Sequence, residues 1–366
     1  MARSINTHTA VKIGENGSIE AVTSEVPQLR EDEVLVRVAC VAINPVDGKS
    51  ADFSPTTGAT LGFDYSGEII ALGADHAGER ATRPLAIGDR VCGCVFGNNP
   101  DRHNNGAFAQ MVAAPASLVL LIPSHMSFEE AATLGVGLAT VGLALYRSLK
   151  LPLPSPSNAT QKPTSGSGAR HVLVYGGSTA TGTLAIQMIR LSGLVPVATC
   201  SPDKADLLKS LGASAVFDYH SPTCGDEIRE YSDNKLAHAL DCVSDTASMR
   251  ICYEALGRAG GQYLSLDPFP LRSHTRRSVR PSWILTLTIF DQPVNWKRPF
   301  RRDAQPQDRD FAVAWFQTAQ KLLDAREIKP HPIQVRTGGL NKVSEGIKAV
   351  RQGEVRGKKL VYRVGC

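Results

Sequence analysis

Val172-Leu173-Val174-Tyr175-Gly176-Gly177-Ser178-Thr179-Ala180-Thr181-Gly182 passes from a short apolar run through a tight Gly/Ser/Thr turn into the helical pattern Leu184-Ala185-Ile186-Gln187-Met188-Ile189. This is the strand-turn-helix order of a dinucleotide-binding unit. Glycine lets main-chain N–H groups approach a pyrophosphate, and the N-terminus of the next helix adds its positive dipole. Thr179 stands where the usual G-x-x-G-x-x-G has its middle glycine, so the turn taken alone also fits a plain strand-to-helix loop.

The following residues narrow the choice. A second apolar strand, Val195 to Cys200, leads into Ser201-Pro202-Asp203-Lys204 and a helix ending near Ala213, and a third strand runs from Ala215 to Tyr219. Such a β-α-β-α-β series is a Rossmann half, in which the tip of the second strand meets the adenosine ribose. An acidic residue there would accept from the 2′-hydroxyl of NAD. This chain offers Ser201 and Lys204, suited to a 2′-phosphate, so NADPH is the expected cofactor. Asp203 is the acidic alternative, but it follows Pro202, where the chain already turns into the next helix.

At 366 residues with 42% apolar content, the chain has material for two lobes. The net charge of +5 is too diffuse to argue for nucleic acid. The densest basic stretches, Arg272 to Arg280 and Lys297 to Arg302, read as solvated loops, with a docking surface for an acidic partner as the alternative. Eight cysteines without a C-x-x-C pair fit reduced core residues of a cytoplasmic protein. The N-terminus lacks an apolar signal core, and Ala131 to Tyr146 is too short and too broken by Gly and Thr to span a bilayer. No membrane segment is expected. Asn158-Ala159-Thr160 matches a glycosylation sequon by chance.

Four alternating segments precede the dinucleotide strand: Glu33 to Ala42, Asp64 to Leu72, Asp89 to Val95 and Ala107 to Val112. They predict a β-rich lobe. Ser127-Phe128-Glu129-Glu130 is a capping box opening a long helix to about Leu149. Pro152 to Gly168 reads as a flexible loop. Near the end, Phe311 to Leu323 and Asn341 to Arg351 read as helices, and Pro332 to Thr337 and Lys359 to Val364 as strands. The expected division is residues 1–145 with 311–366 in one lobe and 146–310 in the other, with the cofactor in a cleft between them.

Gly62-Phe63-Asp64-Tyr65-Ser66-Gly67, Gly88-Asp89-Arg90-Val91 and Gly106-Ala107-Phe108-Ala109-Gln110 resemble, in order and spacing, the catalytic-lobe landmarks of the medium-chain dehydrogenase/reductase superfamily. The resemblance implies an α/β fold: a doubly wound parallel Rossmann sheet plus a GroES-like β-rich catalytic domain. Its zinc enzymes carry His-Glu where Phe63-Asp64 stand and a ligand cysteine near Ile43-Asn44. Neither is present, nor is a four-cysteine structural lobe, and Cys92 and Cys94 alternate along a strand as packing residues. No metal is expected. Within the superfamily, Val172 to Gly182, Leu191-Ser192-Gly193, Ala198 to Pro202, Gly257-Arg258-Ala259-Gly260-Gly261, Thr288-Ile289-Phe290 and Leu151 to Pro156 look like the trans-acting enoyl reductases of fungal highly reducing polyketide synthases. This implies reduction, with NADPH, of an enoyl thioester on the acyl carrier protein of a partner synthase or synthase-peptide synthetase hybrid, by a monomer.

Residue by residue, the resemblance assigns Val46, Asp47, Gly48, Lys49, Ser178, Thr179, Ala180, Thr181, Ser201, Pro202, Asp203, Lys204, Tyr219, Leu266, Asp267, Val355 and Arg356 to the cofactor. It assigns Gly137, Thr140, Val141, Ala144, Leu287, Thr288, Ile289, Phe290 and Asp291 to an apolar substrate channel. Lys49 and Thr140 are the candidate catalytic donors for the charge that builds on the thioester oxygen. Without the resemblance, a loop lysine is a solvated charge and a helical threonine bonds back to its own carbonyls. The source of the α-carbon proton stays open between these donors, a solvent water and the surroundings of the substrate thioester. Rival readings are a generic zinc-free quinone or alkenal reductase and a non-catalytic NADPH-binding interaction protein.

Overall fold

A computed structural model describes residues 6–75, 84–158 and 170–365. The chain divides into two compact units: residues 1–136, 287–320 and 330–366 form one, and residues 137–286 with 321–329 form the other.

In the first unit, seven strands form one sheet. Its order is Ile333–Arg336, Lys359–Arg363, Glu33–Ala42, Asp64–Leu72, Arg90–Cys94, Val119–Leu121, with Met111–Pro115 also paired to Glu33–Ala42. All pairings but the first are antiparallel. Val34, Val36, Val41, Tyr65, Ile69 and Val91 build its core. Glu33 to Ala42 and Asp64 to Leu72 are strands with the expected bounds. The strand expected from Ala107 begins instead at Met111, because Ala107 and Phe108 donate to the Gly62 and Leu61 carbonyls. An N-terminal hairpin, Thr7–Ile13 with Ile19–Glu25, was not foreseen.

The second unit is a six-stranded, wholly parallel sheet. Its order is Ala215–Asp218, Val195–Cys200, His171–Tyr175, His238–Asp241, Gly261–Ser265, Val279–Trp283. In sequence terms this is 3-2-1-4-5-6, the doubly wound dinucleotide-binding order. The helices Ala180–Leu191, Ala205–Ser210, Cys224–Tyr231 and Thr246–Ala255 connect the strands.

The units part at 136/137 and 286/287 rather than at 145/146 and 310/311. Residues 287–320 pack on the first unit: Trp296 Nε1 donates to Asn98 O at 2.9 Å, and Gln320 brackets Leu121 with bonds of 2.7 and 3.1 Å. Residues 321–329 return to the second unit, where Gln187 exchanges bonds of 2.8 and 3.0 Å with the Lys329 main chain.

The expected helix to Leu149 begins at the capping box but breaks into Phe128–Ala131, Gly135–Val141 and a π-helical turn, Gly142–Ser148. The Asp64 carboxylate accepts the Val136 N–H at 2.6 Å, and a Cβ on Gly135 would meet the Gly93 carbonyl at 2.2 Å. The helix therefore restarts against the sheet. Phe128–Ser148 is long and apolar enough to cross a membrane, but 78% of its window is buried inside the protein. Part of the Pro152 to Gly168 loop, residues 159–168, and the end of the sequon lie outside the described residues.

Candidate active site

The dinucleotide turn is built by backbone geometry. Gly176 has φ +74°, which favours glycine. A Cβ on Gly182 would lie 2.3 Å from the Gly176 carbonyl, so the helix start packs directly on the turn. Thr179 caps the helix: its side chain accepts from the Gly182 N–H at 3.0 Å. The threonine that weakened the glycine pattern thus supplies a cap. Among the described residues, the N–H groups of Ser178, Ala180 and Thr181 have no acceptor, which leaves a cradle for an anion at the helix N-terminus.

At the tip of the second strand, Pro202 opens a short turn that holds Asp203 and Lys204. The Ser201 hydroxyl lies 3.3 Å from that of Tyr219, so residues 18 apart in sequence meet there. Tyr219 is half-exposed and tilted over His220, with ring centroids 4.1 Å apart. The Lys204 ammonium pairs with the neighbouring Asp203 carboxylate at 2.9 Å. The lysine and the acidic alternative therefore occupy one tip together. The expected third strand ends at Asp218 rather than at Tyr219.

Leu266 and Asp267 follow the fifth strand of this sheet, and both their N–H groups donate to Ser244 Oγ at 3.2 Å. Ser244 has φ +69° and is held by Asp241, whose buried carboxylate accepts from the N–H groups of Val243 and Ser244, the Ser248 hydroxyl and the Tyr263 hydroxyl. Burial pushes the Asp241 pKa up against these bonds. Sequence reasoning passed over Asp241 and Ser244. Their signal was an acidic residue ending a strand and followed by polar residues.

Thr140, on Gly135–Val141, is 6% exposed, and its hydroxyl meets that of Thr286 at 2.9 Å. Thr286, 146 residues away, was also missed. Val141 and Ala144 are buried completely, and a Cβ on Gly137 would meet Leu184 at 2.6 Å.

The first unit holds the other assigned residues. Lys49 lies not in a loop but on the helix Pro45–Phe53, where it is exposed beside half-buried Val46 and buried Gly48. Asn44 caps this helix, and its N–H donates to the Asp47 carboxylate at 2.5 Å. Asp47 is wholly buried. Its second carboxylate oxygen has no partner among the described residues, and burial drives its pKa well up, with the nearby Asp64 charge acting in the same direction. Asn44 Nδ2 reaches Asp64 at 2.8 Å, and Lys359 Nζ pairs with Asp64 at 2.5 Å and with the Thr133 carbonyl at 3.2 Å. On Gly48, a Cβ would meet Arg351 at 2.9 Å; Arg351 bonds the Gly48 carbonyl and Asp52. Val355 and exposed Arg356 follow the helix Val343–Arg351.

Leu287, Thr288, Ile289 and Phe290 form one 3₁₀ turn in this unit's packing. Thr288 donates to Asp308 at 2.7 Å and Phe290 stacks on Phe96, while Asp291 leaves the turn at φ +49°.

Zinc does not fit these residues. Asp64 is already bound to an ammonium and an amide, and Phe63 sits edge-on to Trp296 with centroids 6.3 Å apart. Burial holds the Cys92 and Cys94 thiols protonated by raising their pKa values. Among the described residues, no three His, Cys, Asp or Glu side chains gather into a metal-holding group.

Residues 30–124 match the alcohol dehydrogenase GroES-like domain family, and residues 180–265 match the zinc-binding dehydrogenase family. The chain is 52% identical to the trans-enoyl reductase apdC of Emericella nidulans over 97% of both chains. It is 54% identical to the trans-enoyl reductase opdC of Penicillium oxalicum, over 97% of this chain and 96% of the other. Among solved structures, the CurK enoyl reductase superposes with a TM-score of 0.74 at 18% identity, covering 98% of this chain and 99% of that one. The quinone oxidoreductase of Coxiella burnetii superposes at 0.68 with 21% identity, covering 98% of each. At such identities the two structures speak to fold alone.

Proposed function

The chain belongs to the trans-enoyl reductases of the medium-chain dehydrogenase/reductase superfamily, and we propose that it uses NADPH to reduce the α,β-unsaturated thioester of a growing polyketide. That thioester is carried on the acyl carrier protein of a partner polyketide synthase or synthase-peptide synthetase hybrid. The observation that carries this reading is similarity to named trans-enoyl reductases along nearly the whole chain.

A bound NADPH supplies the hydride that adds at the β-carbon. The rest of the chemistry falls to the chain. As the C=C π electrons move onto the thioester oxygen, the Lys49 ammonium and the Thr140 hydroxyl stabilise the enolate by donating hydrogen bonds, and a proton given up by one of these donors or by solvent water then adds at the α-carbon. The free N–H groups of Ser178, Ala180 and Thr181 hold the pyrophosphate. Ser201, Lys204 and Tyr219 receive the 2′-phosphate, with Lys204 leaving Asp203 to do so. Leu266, Asp267, Val355 and Arg356 are the other residues assigned to the cofactor. Leu287 to Asp291 and Gly137 to Ala144 receive the acyl chain.

Lys204→Ala should weaken NADPH binding by about 1.5–3 kcal/mol, the worth of a charge-assisted hydrogen bond. NADH binding should change little. Titration of both cofactors by fluorescence checks this, and equal losses would remove Lys204 from the 2′-phosphate site.

Two further features support the partner and compartment parts of the reading. The outer edge strand Val279–Trp283 carries Pro281, and the neighbouring bonds Gly261 N–H to Ser278 O and Ile284 N–H to Ser265 O put residue 281 in the outward-facing register. The missing N–H interrupts edge-to-edge pairing and favours a monomer. Seven described cysteines are free thiols, six of them buried, as suits a cytoplasmic protein. The direct test of activity is NADPH oxidation by a pantetheine-linked enoyl thioester. Turnover confined to free quinones would favour a generic reductase instead.

A further inference from the structure

The basic stretch from Arg272 to Arg280 forms part of the wall of a hollow of about 670 Å³ in the second unit. The helices Cys224–Tyr231 and Thr246–Ala255 and the turn after the latter supply the rest. Arg229, Arg250, Arg258, Arg272 and Arg276 line it, and among the described lining residues Glu254 is the one carboxylate.

The arginines are in different states. Arg276 is fixed by three main-chain carbonyls, those of Tyr253, Leu256 and Gly257, none of which cancels its charge. Arg229 and Arg250 form partly exposed pairs with Asp226 and Glu254 at 2.5 and 3.2 Å, which solvent screens. The guanidinium groups of Arg258 and Arg272 have no partner among the described residues. Next to Arg272 stands Leu271, 79% exposed.

Among the described residues that line the hollow none is assigned to the cofactor, although Thr246 follows the C-terminal end of the strand His238–Asp241 and Arg272 and Thr275 follow that of Gly261–Ser265. Leu256, Arg258 and Ser278 precede the strands Gly261–Ser265 and Val279–Trp283. The Ser178 to Thr181 turn, the Ser201 to Lys204 tip and Leu266 lie after the C-terminal ends of their strands. The cofactor chemistry therefore leaves this site unused.

We propose that this hollow docks an acidic helical segment of a partner protein, with carboxylates facing Arg258 and Arg272 and an apolar side chain against Leu271. Charge complementarity supports that occupant, since guanidinium forks match carboxylates and three of the five, Arg258, Arg272 and Arg276, face no carboxylate partner among the described residues. The exposed leucine beside them favours a protein over a free oxyanion, because a protein segment can cover an exposed apolar side chain and a free oxyanion cannot. Identifying the partner with the synthase rests on the trans-acting function; the surface itself does not.

The test uses the whole chain and a fluorescein-labelled helical peptide with Glu and Leu on one face, followed by anisotropy in low salt, with a Lys-for-Glu peptide as control. Arg258→Glu with Arg272→Glu should weaken binding about tenfold or more, as expected where arginine anchors an interface, and Leu271→Ser about fivefold, from the apolar burial it gives up. Lys297→Glu with Arg301→Glu, in the other basic stretch, should change it less than about twofold. Reduction of the pantetheine-linked enoyl thioester should stay unchanged in all three variants, which also shows that they fold. No peptide binding, equal loss from both charge reversals, or displacement of the peptide by millimolar inorganic phosphate would overturn the proposal. If the unaltered chain leaves the thioester unreduced while the peptide pattern holds, the trans-acting function falls and the docking surface stands.

Discussion

Thr140→Val and Lys49→Met should each lower kcat by roughly 10²–10³, with NADPH affinity nearly unchanged in Thr140→Val, since one oriented donor at a developing oxyanion contributes about 2.7–4 kcal/mol. Both substitutions keep the bulk of the side chain and delete the donor. Thr140 is the more constrained of the two, because it is buried and its hydroxyl shares a hydrogen bond with Thr286. Thr286→Val separates positioning from catalysis: it should cost less than Thr140→Val, and a lone Thr140 hydroxyl should still support turnover. Steady-state kinetics with a pantetheine-linked enoyl thioester, together with cofactor titration, gives the split. An increase in KM at constant kcat would mean that these groups bind ground state and transition state alike. A loss below about threefold at Lys49 would return it to the status of an exposed helix lysine.

Lys359→Met should destabilise the protein by about 3–5 kcal/mol, because it strands a buried carboxylate without its counter-ion. Asp64 and Lys359 have side chains 0% and 4% exposed, and the pair also anchors Asn44, the cap of the Lys49 helix. Adding Asp64→Asn to Lys359→Met should recover much of the loss, since neither charge then remains to be buried. Urea unfolding of the three proteins checks this. A cost under about 1 kcal/mol for the single variant would mean that water reaches the pair.

The first three strands of the dinucleotide unit were legible because they are short, largely apolar runs closed by turn residues, as Val172 to Tyr175 is by Gly176 and Gly177, whereas His238–Asp241, Gly261–Ser265 and Val279–Trp283 were not, since each is short and mixes polar with apolar residues. The strands Glu33–Ala42 and Asp64–Leu72 were legible for the same local reason. What escaped is long-range. The Asp64–Lys359 pair joins residues 295 apart, and Thr140 meets Thr286 across 146. No periodicity encodes such meetings. The break after Ala131 escaped too, since the apolar pattern through Leu134 suits a continuous helix. Only the Asp64 side chain, arriving from another strand, captures the Val136 N–H. Thr179 looked like a defect in a glycine pattern and proved to be a helix cap, a role that its side chain and the Gly182 N–H could have suggested. The unit boundaries shifted because Trp296 and Gln320 find their partners in the first unit.

We propose that this chain reduces an enoyl thioester for a synthase that cannot do so itself. The most direct measurement mixes the purified protein and NADPH with a partner synthase whose own reductase domain is inactive, and reads the product by mass spectrometry. The account predicts a product two hydrogens heavier per reduced round than the one released without this protein. It also predicts that deuterium from stereospecifically labelled NADPH appears at the β-carbon. A product that stays unsaturated with every partner synthase tried, from protein that still oxidises NADPH with a free quinone, would contradict it.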